Sequence, residues 1–586
     1  MPSKFSPTIK KFEKRNLLLI WSLVILITLI GGMLRFYKID WAHGYFVHPD
    51  ELNIAQAVDK IRLFTQLNPH FFAYGSLPIY ITAIVKALVS LPTVLIGRYT
   101  SALFSTLLIP LMYILTSHLQ LKQLHRFLII ILTCFVTGFI QYAHFSTFET
   151  ILTFLFILTT FVSIKTYRTP NLLHFVLLGM LIGATIGTKI VSLHLIGLPL
   201  LIGILVSLKE DTQNTDIFLK RLISVPYLKF FKDTKILSSL FCAVLVFVLT
   251  NPYTFLDFET FRDSFKYEST LATGDLPVFY TRGFISTIPL IYQLHNVFPF
   301  ISGYLFIFFA VIGLLLMIYR IFTSRNENTY GHIIFLFIFG IYLLFHLTLY
   351  VKWTRYMIPA LPLLIISCIY LSNEIDTKLK KGRIFASILG VLICTEIAIR
   401  GISFFQIYRQ NDSRLIASAW AQENIPIESF ILSEALDPNI IPFNKSFSGS
   451  ITLFNFYDLT INNNSTSSIN HLSELLKKAD YIIIPSRRIF GPTSRHQDIY
   501  PLTARYYDLL FNNKLGFEKV LHVKSNSCIL SEEKQKQLPD LIVSTFCIVD
   551  DGSAEETFVV FDHPEILIFE KENKLTQDEY LELLTS

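Results

Sequence analysis

The residues best suited to chemistry gather in one short stretch. Trp41-Ala42-His43-Gly44-Tyr45-Phe46-Val47-His48-Pro49-Asp50-Glu51 places two carboxylates directly after a proline, then runs into apolar residues at helical spacing, Ile54, Ala57, Val58 and Ile61. Pro49 favours a turn, so Asp50 and Glu51 fall at a helix start. There the macrodipole and the free N–H groups favour carboxylates in their charged form. An acidic pair in this position is ordinarily a cap, and the alternative is a catalytic carboxylate. His43 and His48 flank the pair and could hold a divalent ion with Asp50 or Glu51; a loop histidine satisfied by its own hydrogen bonds is the other reading.

The elements that must position this stretch are set by composition. The chain of 586 residues is 52% hydrophobic and 16% charged, with 53 phenylalanines and a mean hydropathy of +0.51. This excludes disorder, a disulfide scaffold and a soluble enzyme, and it predicts a polytopic α-helical membrane protein. The net charge of +6 is too diluted to imply nucleic-acid binding. Apolar runs at 17–35, 99–118, 127–145, 150–166, 171–188, 190–208, 236–250, 299–319, 331–350, 356–372 and 384–404 predict about eleven spans. The run 77–92, bracketed by Pro78 and Pro92 with Lys86 at its centre, is expected to lie along the interface.

With the amino terminus cytoplasmic, the basic clusters all fall inside, as the positive-inside rule asks. They are Lys10 to Arg15, Lys122 and Arg126, Lys165 and Arg168, the 209–235 loop, Arg320 and Arg325, and Lys378 to Arg383. The same parity places 36–98, 146–149, 251–298, 351–355 and everything beyond about 405 on the outer face. Residues 1–404 then form the membrane domain, with a first outer loop at 36–98 and a second at 251–298. Residues 405–586 form an extracytoplasmic α/β or α+β domain. Its expected strands are 430–433, 481–485, 558–561 and 566–569, its helical patterns are 413–423 and 502–512, and 462–468 is a polar loop.

His48-Pro49-Asp50-Glu51 resembles the first-loop acidic motif of GT-C glycosyltransferases, particularly the protein O-mannosyltransferase and aminoarabinose-transferase relatives. Further resemblance follows in chain order: Tyr74-Gly75-Ser76-Leu77-Pro78-Ile79-Tyr80, Gly97-Arg98, His144 to Glu149, Gly187-Thr188-Lys189, Asn251-Pro252-Tyr253 and Arg355-Tyr356-Met357-Ile358-Pro359. Ala554 to Phe558 and Phe561-Asp562-His563-Pro564 look like the outer domain of bacterial and archaeal members. The resemblance implies transfer of a hexosyl or pentosyl group from a polyprenyl-phosphate donor, on the outer face, to a glycan, lipid or protein acceptor.

It also implies roles. Asp50 is the expected general base, with Glu51 as substitute or assistant and Glu149 as a further acid. Lys189, Arg355 and Arg98 are expected on the donor phosphate, and His48, Tyr74 and Tyr253 on the substrate. The chemistry agrees. A phosphosugar already carries a good leaving group, so it needs cations for the developing charge and a carboxylate for the acceptor's proton. In-line attack inverts the anomeric centre. No Walker-type loop is present, and none is needed. Ser76 stands where aminoarabinose transferases tend to have lysine, and the repeat-containing lumenal domain of eukaryotic mannosyltransferases has no counterpart, so neither family's acceptor is carried over.

Cys134, Cys242, Cys368 and Cys394 fall inside spans and read as small packing residues. Cys528 and Cys547 share the outer domain, where a disulfide is open to them. The competing readings are a lipid or glycan transporter and an envelope-assembly scaffold. A transporter predicts charged or broken segments at mid-membrane in matched halves; here the ionisable residues cluster at span ends.

Overall fold

In hydrocarbon an apolar run must satisfy its own backbone, and the helix is the form that does so. Each apolar run is helical in the computed structural model, which describes residues 7–45, 47–210, 227–323, 328–437, 451–459, 466–525, 527–530, 532–539, 542–543, 546–547 and 551–586. The first half comprises α1 (Pro7–Phe36), α2 (Pro49–Lys60), α3 (Leu77–Leu88), α4 (Thr93–His118), α5 (Gln123–Phe135), α6 (Thr137–Ala143), α7 (Glu149–Arg168) and α8 (Leu172–Ile186). Among the described residues eight helices are long and apolar enough to cross a membrane, or nine if the bent pair α5 and α6 is one span. The chain is a multi-pass membrane protein.

That count is lower than eleven because α8 has 15 residues and Thr234–Thr250 has 17. At about 1.5 Å per residue both are shorter than a hydrocarbon core of roughly 30 Å. The two short helices pack on each other. Gly179 and Gly183 of α8 press on the backbone of Ser239 and Ala243 so closely that a Cβ at either glycine would collide with a carbonyl oxygen. Small residues four apart are how membrane helices bring backbones together.

The bend of 47° between α5 and α6 leaves helix-end carbonyls in need of donors. Arg35, fully buried at the end of α1, donates to the Thr133 and Cys134 carbonyls at 2.8 and 2.9 Å. The interfacial candidate 77–92 is the helix α3, where Lys86 pairs with Asp59 at 2.5 Å.

The C-terminal part is built on a five-stranded mixed sheet. Its strands are β1 (Ile431–Glu434), β2 (Ile451–Phe454), β3 (Tyr481–Ile484), β4 (Phe517–Val523) and β5 (Ile566–Lys571), in the order β2-β1-β3-β5-β4. β1 pairs in parallel with β2 and β3, and β5 pairs antiparallel with β3 and β4. Ala417 and Ala421 of Ser413–Asn424 cover one face with Ile431, Ile483 and Ile568. Helices Thr466–Lys478, Pro501–Phe511 and Gln577–Thr585 cover the other, against Leu432, Ile482 and Phe569. The expected strands at 430–433, 481–485 and 566–569 are present, as are both expected helices. Of the polar loop 462–468, residues 462–465 lie outside the described residues and Thr466 opens a helix. Cys528 and Cys547 are disulfide-bonded.

The expected strand at 558–561 is not one. Glu556–Val559 is a helical turn, capped by the Glu555 carboxylate accepting from the Thr557 amide. Phe558, Val559, Val560 and Phe561 are all buried in the core of the helical bundle rather than in the sheet. Four consecutive apolar residues suit a doubly buried strand or a buried turn equally well, and only the bundle's surface selects the turn.

A buried polar cluster fastens this segment. Gln141 donates to the Phe558 carbonyl at 2.7 Å, and Tyr408 donates to Asp562 at 2.8 Å. His563 lies between Asp562 and Asp551. Burial opposes its charge, but the two carboxylates outweigh burial and lift its pKa to about 9. A raised folded pKa contributes stability that is complete below the unfolded value near 6.5 and is lost as pH rises through about 9. The melting temperature in detergent should therefore fall between pH 6.5 and 9, and His563→Gln should flatten that slope. An equally steep slope in the variant would contradict this assignment.

Candidate active site

His48 is the N-cap of α2, its Nδ1 accepting from the Asp50 amide at 3.2 Å. Its buried ring packs 4.0 Å from Phe561, and burial holds its pKa below the usual value. This fixes the first turn of α2, from which Asp50 enters a cavity of about 360 Å³ lined also by Tyr74, Lys189, Glu268, Arg355 and Arg488.

Arg355 forms an ion pair with Asp50 Oδ2. Tyr74 donates to the same oxygen at 3.2 Å and accepts from Arg355 at 2.9 Å. Burial alone would raise the Asp50 pKa, but Arg355, His48 and the Tyr74 hydroxyl outweigh it and hold the carboxyl below its ordinary value. Arg355 in turn rests on the face of Trp353, 4.4 Å from the ring centre.

Lys189 arrives from the turn after α8. Gly75 and Leu77 donate to the carbonyls of Thr188 and Gly187, and the Asn251 side chain accepts from the Ser76 amide at 2.6 Å. A Cβ on Gly75 would strike the Gly187 carbonyl, so this seam admits only glycine. The motifs around Tyr74, Gly187 and Asn251 are thus one joint, and its product is the position of Lys189 beside Tyr74. Lys189 Nζ lies 3.5 Å from Glu149 Oε1, over the rings of Tyr356 and Tyr74 at 4.8 and 5.5 Å. Burial lowers its pKa, against the pull of Glu149. Among the described residues, Arg355 Nε and Lys189 Nζ are buried and make no hydrogen bond, although Lys189 is ion-paired with Glu149. Both cations border the one cavity.

Four expected site residues do not line the cavity. Glu51 and Arg98 form a bidentate pair at 2.8 and 2.7 Å, 0% and 1% exposed, and do not line the cavity. Glu51 also accepts from the Ser146 amide, and Arg98 donates to the Ile39 carbonyl beside Trp41. This pair ties α2, α4 and the start of α7 together, so neither group is free for substrate. Removing one partner of such a pair strands the other charge, at about 3–5 kcal/mol. Glu51→Gln should therefore unfold at a clearly lower temperature than the parent, and an unchanged melting temperature would refute a structural role. Tyr253 does not line the cavity either. Glu149 approaches it only through Lys189.

Sequence reasoning missed Arg488, Glu556 and Phe561 as lining residues. Arg488 pairs with Glu556 at 2.7 Å and stands 5.5 Å from the Phe561 ring. The resemblance at 554–564 was the available signal, but it marked a domain rather than a wall of the site. Among the described residues there is no group of three or more His, Cys, Asp or Glu placed to hold a metal. Glu51 is committed to Arg98 and His48 Nδ1 to the Asp50 amide.

Beside this cavity runs an apolar groove of about 460 Å³, lined by Phe72, Ile186, Ile190, Leu193, Phe247, Phe261, Phe265 and Phe345 among others. Tyr74, Lys189, Glu268 and Tyr356 border both spaces.

No family model and no curated protein matches the sequence. Among solved structures, the chain is similar to an oligosaccharyltransferase of Archaeoglobus fulgidus in complex with zinc and sulfate. The identity is 13% and the TM-score 0.46, over 83% of this chain and 71% of that one. It is similar to the archaeal oligosaccharyltransferase AglB from Archaeoglobus fulgidus in complex with an inhibitory peptide and a dolichol-phosphate, at 12% identity and TM-score 0.45, over 94% and 88%. It is also similar to ArnT from Cupriavidus metallidurans bound to undecaprenyl phosphate, at 12% identity and TM-score 0.38, over 80% and 92%.

Proposed function

We propose that this chain is a membrane glycosyltransferase of the GT-C type that transfers a sugar from a polyprenyl-phosphate donor to an acceptor hydroxyl. One observation carries the reading. A carboxylate, Asp50, and two cations, Lys189 and Arg355, line a cavity that shares Tyr74, Lys189, Glu268 and Tyr356 with an apolar groove. The groove suits the carrier's isoprenoid chain, Lys189 and Arg355 suit its phosphate, and Asp50 suits the incoming hydroxyl.

In this mechanism the acceptor oxygen attacks the anomeric carbon from the side opposite the phosphate. The bond from that carbon to the phosphate oxygen breaks, and the carrier leaves as a phosphate monoester. Asp50 takes the hydroxyl proton, and the configuration inverts. Arg355 couples the two ends of the reaction. In the free enzyme it holds Asp50 ionised; when phosphate enters, it gains a second anion to bind and its hold on the carboxylate loosens, which raises the basicity of Asp50.

The site is assigned to the outer face. The basic clusters support this, since Lys122 pairs with Asp376 and Arg320 and Lys378 share Glu374 among the other loop ends. The Cys528–Cys547 disulfide supports an oxidising location for the C-terminal domain. Domain limits of 1–404 and 405–586 belong to the same proposal. The test is to incubate the chain, reconstituted in vesicles, with a panel of labelled polyprenyl-phosphate sugars and cell-envelope acceptors. Label should pass from one donor to a product. Failure to release sugar from any donor would overturn the reading.

A further inference from the structure

A second cavity, of about 460 Å³, lies between residues 280–296 of the bundle and residues 487–495 and 552–556 of the C-terminal part. Tyr280 and Glu556 line both this cleft and the Asp50 cavity, so the two spaces meet. Its walls combine aromatic faces with positive charge. Tyr280, Phe284 and Tyr292 supply the rings.

Two cations, Arg487 and Arg495, line the cleft with them, and two more, Arg282 and Lys352, stand outside its lining. Arg495 is exposed and donates to the Gly491 carbonyl at 3.0 Å, and Arg487 is fixed by the carbonyls of Asp551, Gly552 and Ala554. Lys352 is buried behind the cleft, 5.6 and 6.0 Å from the Phe284 and Tyr292 ring centres, with the Tyr350 carbonyl as acceptor. Arg282, next to the lining residue Gly283, keeps a buried Nε with no hydrogen-bond partner among the described residues. Among the described residues none of these four has a carboxylate within ion-pair distance.

Of the two acids that line the cleft, one is ion-paired and the other is held by neutral donors. Glu556 is paired with Arg488, and Glu555 accepts from Thr354 and Thr557. Arg487 and Arg495 therefore outnumber the one lining carboxylate not paired with an arginine, Glu555, and leave the cleft with an excess of positive charge around three aromatic rings, which favours anions.

We infer that this cleft is the acceptor site and that it takes a saccharide bearing an anionic group, a carboxylate or a phosphate. The inference rests on the transferase reading for the word acceptor, and on the cleft alone for the ligand. Aromatic rings cover the apolar C–H faces of sugars, and guanidinium groups bind carboxylate and phosphate through charge-assisted hydrogen bonds. A saccharide seated here presents a hydroxyl past Tyr280 and Glu556 towards Asp50. A neutral lipid tail would leave the exposed Arg495 guanidinium unanswered.

The test uses the full chain in phosphatidylcholine nanodiscs and titrates three probes calorimetrically: trigalacturonate, maltose phosphate and neutral maltotriose. At least one charged probe should bind ten-fold or more tightly than maltotriose, and its identity tells carboxylate from phosphate recognition. Arg495→Ala, a change at an exposed side chain, should weaken that probe at least five-fold and reduce the salt dependence. Tyr292→Phe keeps the ring and should bind as the parent does, whereas Tyr292→Leu should weaken binding. Equal affinity for maltotriose, no measurable binding of either charged probe, or an unaltered affinity in Arg495→Ala would each overturn the inference. Binding of the charged probe in a chain that releases sugar from no donor would sink the transferase reading and leave the anionic saccharide site standing.

Discussion

Asp50→Asn is expected to lower the transfer rate by about 10²–10⁴-fold, the range of a lost general base, in a chain that still folds. Asparagine fills the same space and keeps an oxygen for the Tyr74 hydroxyl, so the first turn of α2 has no reason to move. What disappears is the charge. That loss also releases Arg355 from its ion pair, leaving the guanidinium fully available to the donor phosphate. The effect should accordingly appear in kcat, while the KM for the donor stays level or falls. A purely structural carboxylate would give the opposite pattern, with reduced stability and a raised KM. Measuring donor consumption and product formation in reconstituted vesicles separates the two, and parental kcat in the variant would remove Asp50 as the base.

Arg355→Ala should be comparably damaging for a different reason. The variant loses a preorganised cation for the charge that develops on the leaving phosphate, an effect of about 10²–10³-fold in kcat/KM. It also alters the base. With Arg355 gone, the burial that favours protonation of Asp50 loses its largest opponent, and the carboxyl pKa rises. The residual activity of the variant should therefore fall on acidification at a higher pH than the parental activity does. Arg355→Lys restores the charge without the fork and should recover part of the rate and return the acid limb towards the parental position. A pH profile in Arg355→Ala that superimposes on the parent's would separate Arg355 from Asp50.

Much of the architecture was legible because hydrocarbon leaves an apolar run few choices. The membrane helices, the α/β character of the tail and the helix start at Asp50 all follow from local pattern. The broken span at α5 and α6 was not legible, since the donor that answers its bend, Arg35, comes from another helix. The segment 558–561 was misread for a related reason, its partners being bundle residues such as Gln141 rather than strand neighbours.

The sequence by itself determined which groups are available: carboxylates at a helix start, cations at the ends of apolar runs that positive-inside placement does not explain, and glycines where chains must touch. Only the tertiary structure decided among them. Asp50 and Glu51 are neighbours with nearly the same chemistry, yet successive helical positions diverge by about 100°. One therefore faces a cavity with Arg355, from 305 residues away, and the other is sealed against Arg98. Pairing across such distances depends on how helices pack, which no local spacing encodes. The same holds for Arg488 and the cationic cleft, which exist only where the C-terminal segments close over the bundle.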